Sequence, residues 1–126
     1  MVASVARPGA TRHDVPELVR TWTPDNPRAD IVVVHGLGEH SGRYEAIGSQ
    51  LSDAGFRVTA FDLVGFGASG GRRGHIDTWT DYLDQVEDHV VAERSDLPLV
   101  LFGHSMGGLI ALEYALAERP APDLLV

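Results

Sequence analysis

The chain has 126 residues, 44% of them hydrophobic, with a net charge of −8 and no cysteine. That length holds one domain or part of one, and that apolar content excludes disorder. The acidic balance argues against a nucleic-acid-binding surface, the absence of cysteine excludes a disulfide framework or thiolate metal site, and no apolar stretch approaches membrane-spanning length.

Residues 1–14 are polar and contain Pro8 and Gly9, which reads as a flexible N-terminal arm without the apolar core of a signal peptide. A soluble cytoplasmic protein is the expectation. Val15 to Thr23 reads as an early strand, placed at a sheet edge by Pro16. Pro24-Asp25-Asn26-Pro27 reads as a turn. Ile31-Val32-Val33-Val34 is a continuous β-branched run that suits a buried parallel strand. A helix is expected over 43–54, with Tyr44, Ile47 and Leu51 at helical spacing and Gly55 as its stop. Arg57 to Phe61 reads as the next strand, followed by a Gly-rich loop over 63–77. Thr78, with Asp81 three residues on, reads as a helix N-cap. The helix it opens is expected to run to about Arg94, with Trp79, Tyr82, Leu83, Val86 and Val90 on one core-packing face. Leu99 to Phe102 reads as a strand, Met106 to Glu118 as a helix, and Leu124-Leu125-Val126 as the beginning of another strand. Strands alternating with helices predict an α/β fold with a mostly parallel sheet flanked by helices.

Gly103-His104-Ser105-Met106-Gly107 is a G-x-S-x-G pentapeptide between a predicted strand and a predicted helix. Such a turn thrusts the serine hydroxyl out of the fold, and the flanking glycines let strand and helix approach without a Cβ clash. Acyl transfer through serine needs a nucleophile, a base, an acid to orient the base, and donors for the oxyanion. Ser105 supplies the first. The backbone N–H of Met106 is one oxyanion donor, and His35-Gly36-Leu37-Gly38, at the end of an earlier strand, makes the N–H of Leu37 the second. No histidine follows Ser105.

His35-Gly36-Leu37-Gly38-Glu39-His40-Ser41-Gly42-Arg43-Tyr44, together with Gly103 to Gly108, closely resembles the monoacylglycerol lipase and lysophospholipase group of the α/β-hydrolase fold. Asp62-Leu63-Val64-Gly65-Phe66-Gly67-Ala68-Ser69 resembles the D-x-x-G-x-G-x-S loop of that family, and Gly71 to His75 the segment after it. The likeness runs from about residue 15 to the C-terminus. It implies hydrolysis of monoacylglycerols or similar single-chain esters, with Ser105 as nucleophile and Leu37 and Met106 as oxyanion donors. It also implies that Glu39 and Arg43 brace the oxyanion loop as an ion pair.

Family members place the acid and the histidine far downstream, in the order Ser, Asp, His, and carry a lid before the acid. Asp123 lies too close to Ser105 for that role. The expectation is therefore a truncated, N-terminal part of the fold over 15–126, inactive as this chain alone. Its partners would be a lipid or small ester substrate, with peripheral membrane contact, and a complementing C-terminal half. No cofactor, metal or nucleic acid is expected. The alternative is a non-catalytic binding or interaction module derived from the same fold. A C–C hydrolase or haloperoxidase would keep Ser105 but leave the block from Glu39 to Tyr44 without a purpose.

The remaining motifs read as structural. His104 reads as an elbow-supporting residue, since immediate neighbours on a turn cannot easily aim at each other. His75 and His89 read as ordinary loop and helix residues, and His35 with His40 lacks the spacing of a zinc site. Gly65 to Gly70 matches G-x-G-x-x-G, but Gly71-Arg72-Arg73-Gly74 does not open the helix a dinucleotide site requires. Arg72-Arg73 reads as a solvated pair, with anionic lipid head groups as the alternative ligand.

Overall fold

The computed structural model of the chain describes residues 2–5 and 15–126. The strands are β1 (Val2–Val5), β2 (Glu17–Trp22), β3 (Ala29–Val34), β4 (Phe56–Phe61), β5 (Leu99–Gly103) and β6 (Leu124–Leu125). The α-helices are α1 (Glu45–Asp53), α2 (Thr80–Ala92) and α3 (Met106–Leu116), and a 3-10 turn over Ser41–Tyr44 leads into α1. The strands form one sheet in the order β1-β2-β4-β3-β5-β6. Pairing is parallel from β4 through β3 and β5 to β6, and antiparallel at β1–β2 and β2–β4. This is the mostly parallel α/β sheet expected from the sequence.

The β-branched run explains why β3 lies at the centre. Ile31 and Val33 face α1 with Val58 and Ala60, while Val32 and Val34 face the core under α2 and α3. A strand buried on both faces has no use for polar alternation. On the α1 side the helix sits so close that a Cβ at Gly48 would stand 2.6 Å from the Trp22 ring. Gly55 ends the turn after α1 at φ 92°, a left-handed conformation that favours glycine. No helix among the described residues is long and apolar enough to cross a membrane.

Three expectations are corrected. Of the expected N-terminal arm, Val2–Val5 is a strand paired with β2, and residues 1 and 6–14 lie outside the described residues. β2 is consequently an inner strand, with β1 on one side and β4 on the other. Pro16 precedes it, and its carbonyl accepts the Gly70 N–H at 2.7 Å, so its missing N–H costs the ladder nothing. Finally, Thr78 does not cap α2 through its side chain. Its carbonyl takes the Asp81 N–H at 3.1 Å, its hydroxyl meets the Thr80 hydroxyl at 3.0 Å, and the helix starts two residues later.

The chain order creates a switch point. From β3 the chain runs through α1 to β4 on one side, then through α2 to β5 on the other side of β3. The loops leaving the carboxyl ends of β3 and β5 therefore depart towards opposite faces. Such a crevice is where open α/β sheets bind ligands.

Candidate active site

Both singled-out motifs occupy that crevice. Ser105 sits between β5 and α3 at φ 57°, ψ −121°, and is the one non-glycine residue with positive φ among the described residues. Backbone held this way costs on the order of 1–3 kcal/mol and persists where its surroundings enforce it. They do so here through two glycines. A Cβ at Gly103 would stand 2.6 Å from the Gly107 carbonyl carbon, and a Cβ at Gly107 would stand 2.7 Å from the Val34 carbonyl carbon. The His104 N–H donates to the Val34 carbonyl at 3.2 Å, which ties the elbow to the end of β3.

The loop after β3 closes against this elbow. A Cβ at Gly36 would stand 3.1 Å from the His104 carbonyl oxygen and 3.2 Å from Ser105 Cβ. Leu37 follows and is 69% exposed. What position 37 can offer the crevice is its backbone, and Gly38 at φ 72° provides the turn beyond it. Met106 is the first residue of α3, where N–H groups lack intrahelical acceptors and the helix dipole is positive. Neither the Leu37 nor the Met106 N–H donates a turn, loop or cap hydrogen bond among the described residues.

Glu39 holds the two segments together. Its Oε1 accepts the Gly36 N–H at 2.7 Å, His104 Nδ1 at 2.9 Å and the Tyr44 hydroxyl at 3.1 Å. The Arg43 ion pair expected from the sequence is present at 3.5 Å, but Arg43 is solvent-exposed and that contact is the longest of the four. Burial opposes ionisation of Glu39, yet the bonds from His104, Gly36 and Tyr44 outweigh it and hold the carboxyl below its ordinary range. The same burial, with Glu39 as neighbour, pushes the Tyr44 phenol up.

His35 and Asp62 fix the loops behind the crevice. His35 Nε2 accepts the Leu63 N–H at 2.9 Å, so the proton resides on Nδ1, which donates to the Gly36 carbonyl at 2.7 Å. Burial pushes this imidazole below its ordinary value, against the Gly36 bond and the Asp62 and Glu39 charges. Asp62 Oδ1 accepts the Ser41 N–H at 2.7 Å and the Ser41 hydroxyl at 2.6 Å, and Oδ2 accepts the Ala68 N–H at 2.8 Å. The G-x-G-x-x-G loop thus turns an amide onto its own carboxylate, and the next α-helix opens only at Thr80.

Two residues, read as part of a solvated loop pair and as an ordinary helix residue, also make specific contacts. Arg73 is exposed, as expected, and its guanidinium also donates to the carbonyls of Gly67 at 2.8 Å, Gly71 at 3.2 Å and Ser69, clipping its own loop. His89 is buried, stacked on Phe61 with ring centroids 4.0 Å apart, and its Nε2 meets Glu17 Oε1 at 2.9 Å. The signal for that pair is a polar side chain at a core-facing position on each of two distant elements. Among the described residues no histidine hydrogen-bonds Ser105: His35, His75, His89 and His104 engage other side chains or backbone groups, and His40 Nδ1 accepts the Gly42 N–H at 3.2 Å. Asp123 accepts the Leu99 N–H at 2.7 Å and pairs with Arg94, tethering the start of β6. No group of three or more His, Asp or Glu among the described residues could hold a metal.

Comparison with known proteins agrees with this geometry. Residues 25–126 match the family described as serine aminopeptidase, S33. Phospholipase YtpA of Bacillus subtilis is 41% identical over 100 residues, covering 79% of this chain and 39% of YtpA. Monoglyceride lipase of Homo sapiens is 42% identical over 120 residues, covering 85% of this chain and 39% of that protein. The crystal structure of Paleococcus ferrophilus monoacylglycerol lipase superposes with a TM-score of 0.69 at 39% identity, covering 77% of this chain and 36% of that one. The chain spans well under half the length of these relatives. It belongs to the serine aminopeptidase S33 family of α/β-hydrolases, in the monoacylglycerol lipase group, and corresponds to the N-terminal part of that fold.

Proposed function

We propose that this chain carries the nucleophile and oxyanion-binding part of a serine ester hydrolase acting on monoacylglycerols or similar single-chain esters. The observation that carries the reading is the left-handed Ser105, pressed through its Cβ against Gly36 at the β3–β5 crevice. Ser105 Oγ attacks the acyl carbonyl and loses its proton to a base. The carbonyl oxygen becomes an oxyanion that the N–H groups of Leu37 and Met106 stabilise, and each such donor contributes about 3–4 kcal/mol. Collapse expels the alcohol and leaves an acyl-serine, which water hydrolyses to the fatty acid.

The histidine and acid of the triad lie outside these 126 residues, since no histidine follows Ser105 and Asp123 is committed to β6. The chain alone therefore has no meaningful turnover. Without the base, only the oxyanion donors and binding remain, a residual on the order of 10³–10⁴ over water even in intact enzymes. The assay is p-nitrophenyl butyrate hydrolysis by the pure chain, alongside Ser105→Ala. Turnover at ordinary enzymatic rates that Ser105→Ala abolishes would overturn the claim of inactivity. The non-catalytic reading draws on the engagement of every described histidine with groups other than Ser105. It prevails if supplying a histidine and acid in trans restores no Ser105-dependent turnover.

A further inference from the structure

Gln85 puts an amide among the apolar residues of α2. It is 5% exposed, on the face that also buries Val86, His89 and Val90. Burying an amide is unfavourable unless its donors and acceptor find partners. Each of them does. One N–H of Nε2 donates to the Asp62 carbonyl at 3.1 Å and the other to Glu17 Oε1 at 2.5 Å, while Oε1 accepts the Val64 N–H at 3.0 Å. Glu17 sets the direction of the amide, because an ionised carboxylate only accepts and Nε2 must face it. The side chain therefore brackets the backbone on both sides of Leu63. β4 ends at Phe61, and from α2 this amide fixes the three residues beyond it.

Both ends of the loop after β3 attach to the backbone held in this way. At the near end, His35 Nε2 accepts the Leu63 N–H at 2.9 Å. At the far end, the Ser41 N–H and hydroxyl donate to Asp62 Oδ1 at 2.7 and 2.6 Å. Leu37 lies between these two anchors. The hydrogen bonds of Gln85 among the described residues go to residues 17, 62 and 64, and none goes to the loop itself. We propose that Gln85 is a positioning residue for the oxyanion donor at Leu37, a role that rests on the function proposed above. Oriented by Glu17, it fixes Asp62 and Leu63, and they fix the two ends of the loop that carries the Leu37 N–H. Misplacing such a group by about 1 Å costs a reaction on the order of 10²-fold, so a donor carried on a loop depends on what stands behind it. Ser69 supports the same point: its hydroxyl donates to the Asp62 carbonyl at 2.7 Å and accepts the Leu18 N–H at 3.0 Å. The Asp62 carbonyl thus keeps one partner when Gln85 is replaced, and the loop loosens while the fold persists.

Native-state hydrogen exchange and amide NMR spectra of the whole chain test the role. In the unsubstituted protein the amides of Val64, Leu63 and Ser41 are expected to open as one unit, with a common dependence on urea. Gln85→Met keeps the length of the side chain and removes its hydrogen bonds. It is expected to speed exchange at Leu63 and Ser41 about tenfold relative to Val33 in β3, and to move the Leu37 amide resonance. Gln85→Glu still accepts from Val64 but cannot donate to the Asp62 carbonyl, and is expected to do the same. Val90→Ala opens a cavity on the same helix away from these bonds; it lowers stability and leaves the Leu37 resonance in place. Faster exchange at Val64 alone, with Leu63, Ser41 and Leu37 unchanged, would make Gln85 a tether of α2 and overturn the proposal. So would an unsubstituted chain in which Val64 opens without the other two, a measurement that decides the matter if neither variant folds. A loop that responds as expected, without Ser105-dependent turnover once a histidine and acid are supplied in trans, upholds the positioning and overturns the proposed chemistry instead.

Discussion

Gly107→Ala probes the contact on which the crevice depends. A Cβ at this position would stand 2.7 Å from the Val34 carbonyl carbon, and nearer still to the carbonyl oxygens of Val34 and His35. Comfortable carbon–carbon contact is about 3.5–4.0 Å, so α3 must retreat from β3 by about 1 Å. The obstacle is the backbone of the central strand, which cannot swing aside as a side chain could. Overpacking typically costs about 1–3 kcal/mol, and a backbone obstacle puts this substitution at about 3 kcal/mol. For a chain of this size that lowers Tm by about 10 °C. Gly108→Ala is the control. Its nearest neighbour would be the Gly103 carbonyl oxygen at 3.2 Å, and the gain of about 1 kcal/mol in helix propensity offsets the tight contact. Urea unfolding followed by the fluorescence of Trp22 and Trp79 compares the two. Equal midpoints for Gly107→Ala and Gly108→Ala would refute the argument that α3 touches β3 through a bare backbone.

Ser105→Gly is expected to unfold at higher urea than Ser105→Ala, by about 1 kcal/mol or more, because only glycine adopts the observed dihedrals without strain; indistinguishable midpoints would mean the elbow is unstrained. His35 makes stability depend on pH. Its folded value lies below the unfolded value near 6.5, so in that window the unfolded chain binds more protons and stability falls as pH drops below about 6.5. Glu39, also depressed, adds stability above its ordinary value of 4.5 that is lost as pH falls further. Urea midpoints across pH 4–7 should slope less in His35→Gln just below about 6.5; an unchanged slope would assign that loss to other groups.

The elements most legible in the sequence are those whose signal is local. The run from Ile31 to Val34, the stop at Gly55 and the glycines around Ser105 each carry their reason within a few residues. The misreadings and omissions share a different cause. Pro16 marks an edge only if nothing pairs beyond β2, and β1 does. Arg73 is exposed as expected, but its clip stays hidden because the carbonyls it holds become acceptors only once the loop has closed. His89 looks like an ordinary helix residue until Glu17, far away in the chain, is brought beneath it. Arg43 was visible as a partner of Glu39, but the closer bonds from His104 and Gly36 require β3 and β5 to lie side by side.

Strand, sharp turn and helix around Ser105 follow from neighbours in the chain, because glycines at 103 and 107 are needed wherever such a turn occurs. The family likewise follows from short motifs whose spacing survives in one dimension. That Gly36 lies against Ser105, and that Glu39 links both loops, is a consequence of sheet order. β5 adds to β3 on the side away from β4, and no local preference encodes which edge a strand will choose; burial of β3 on both faces decides it.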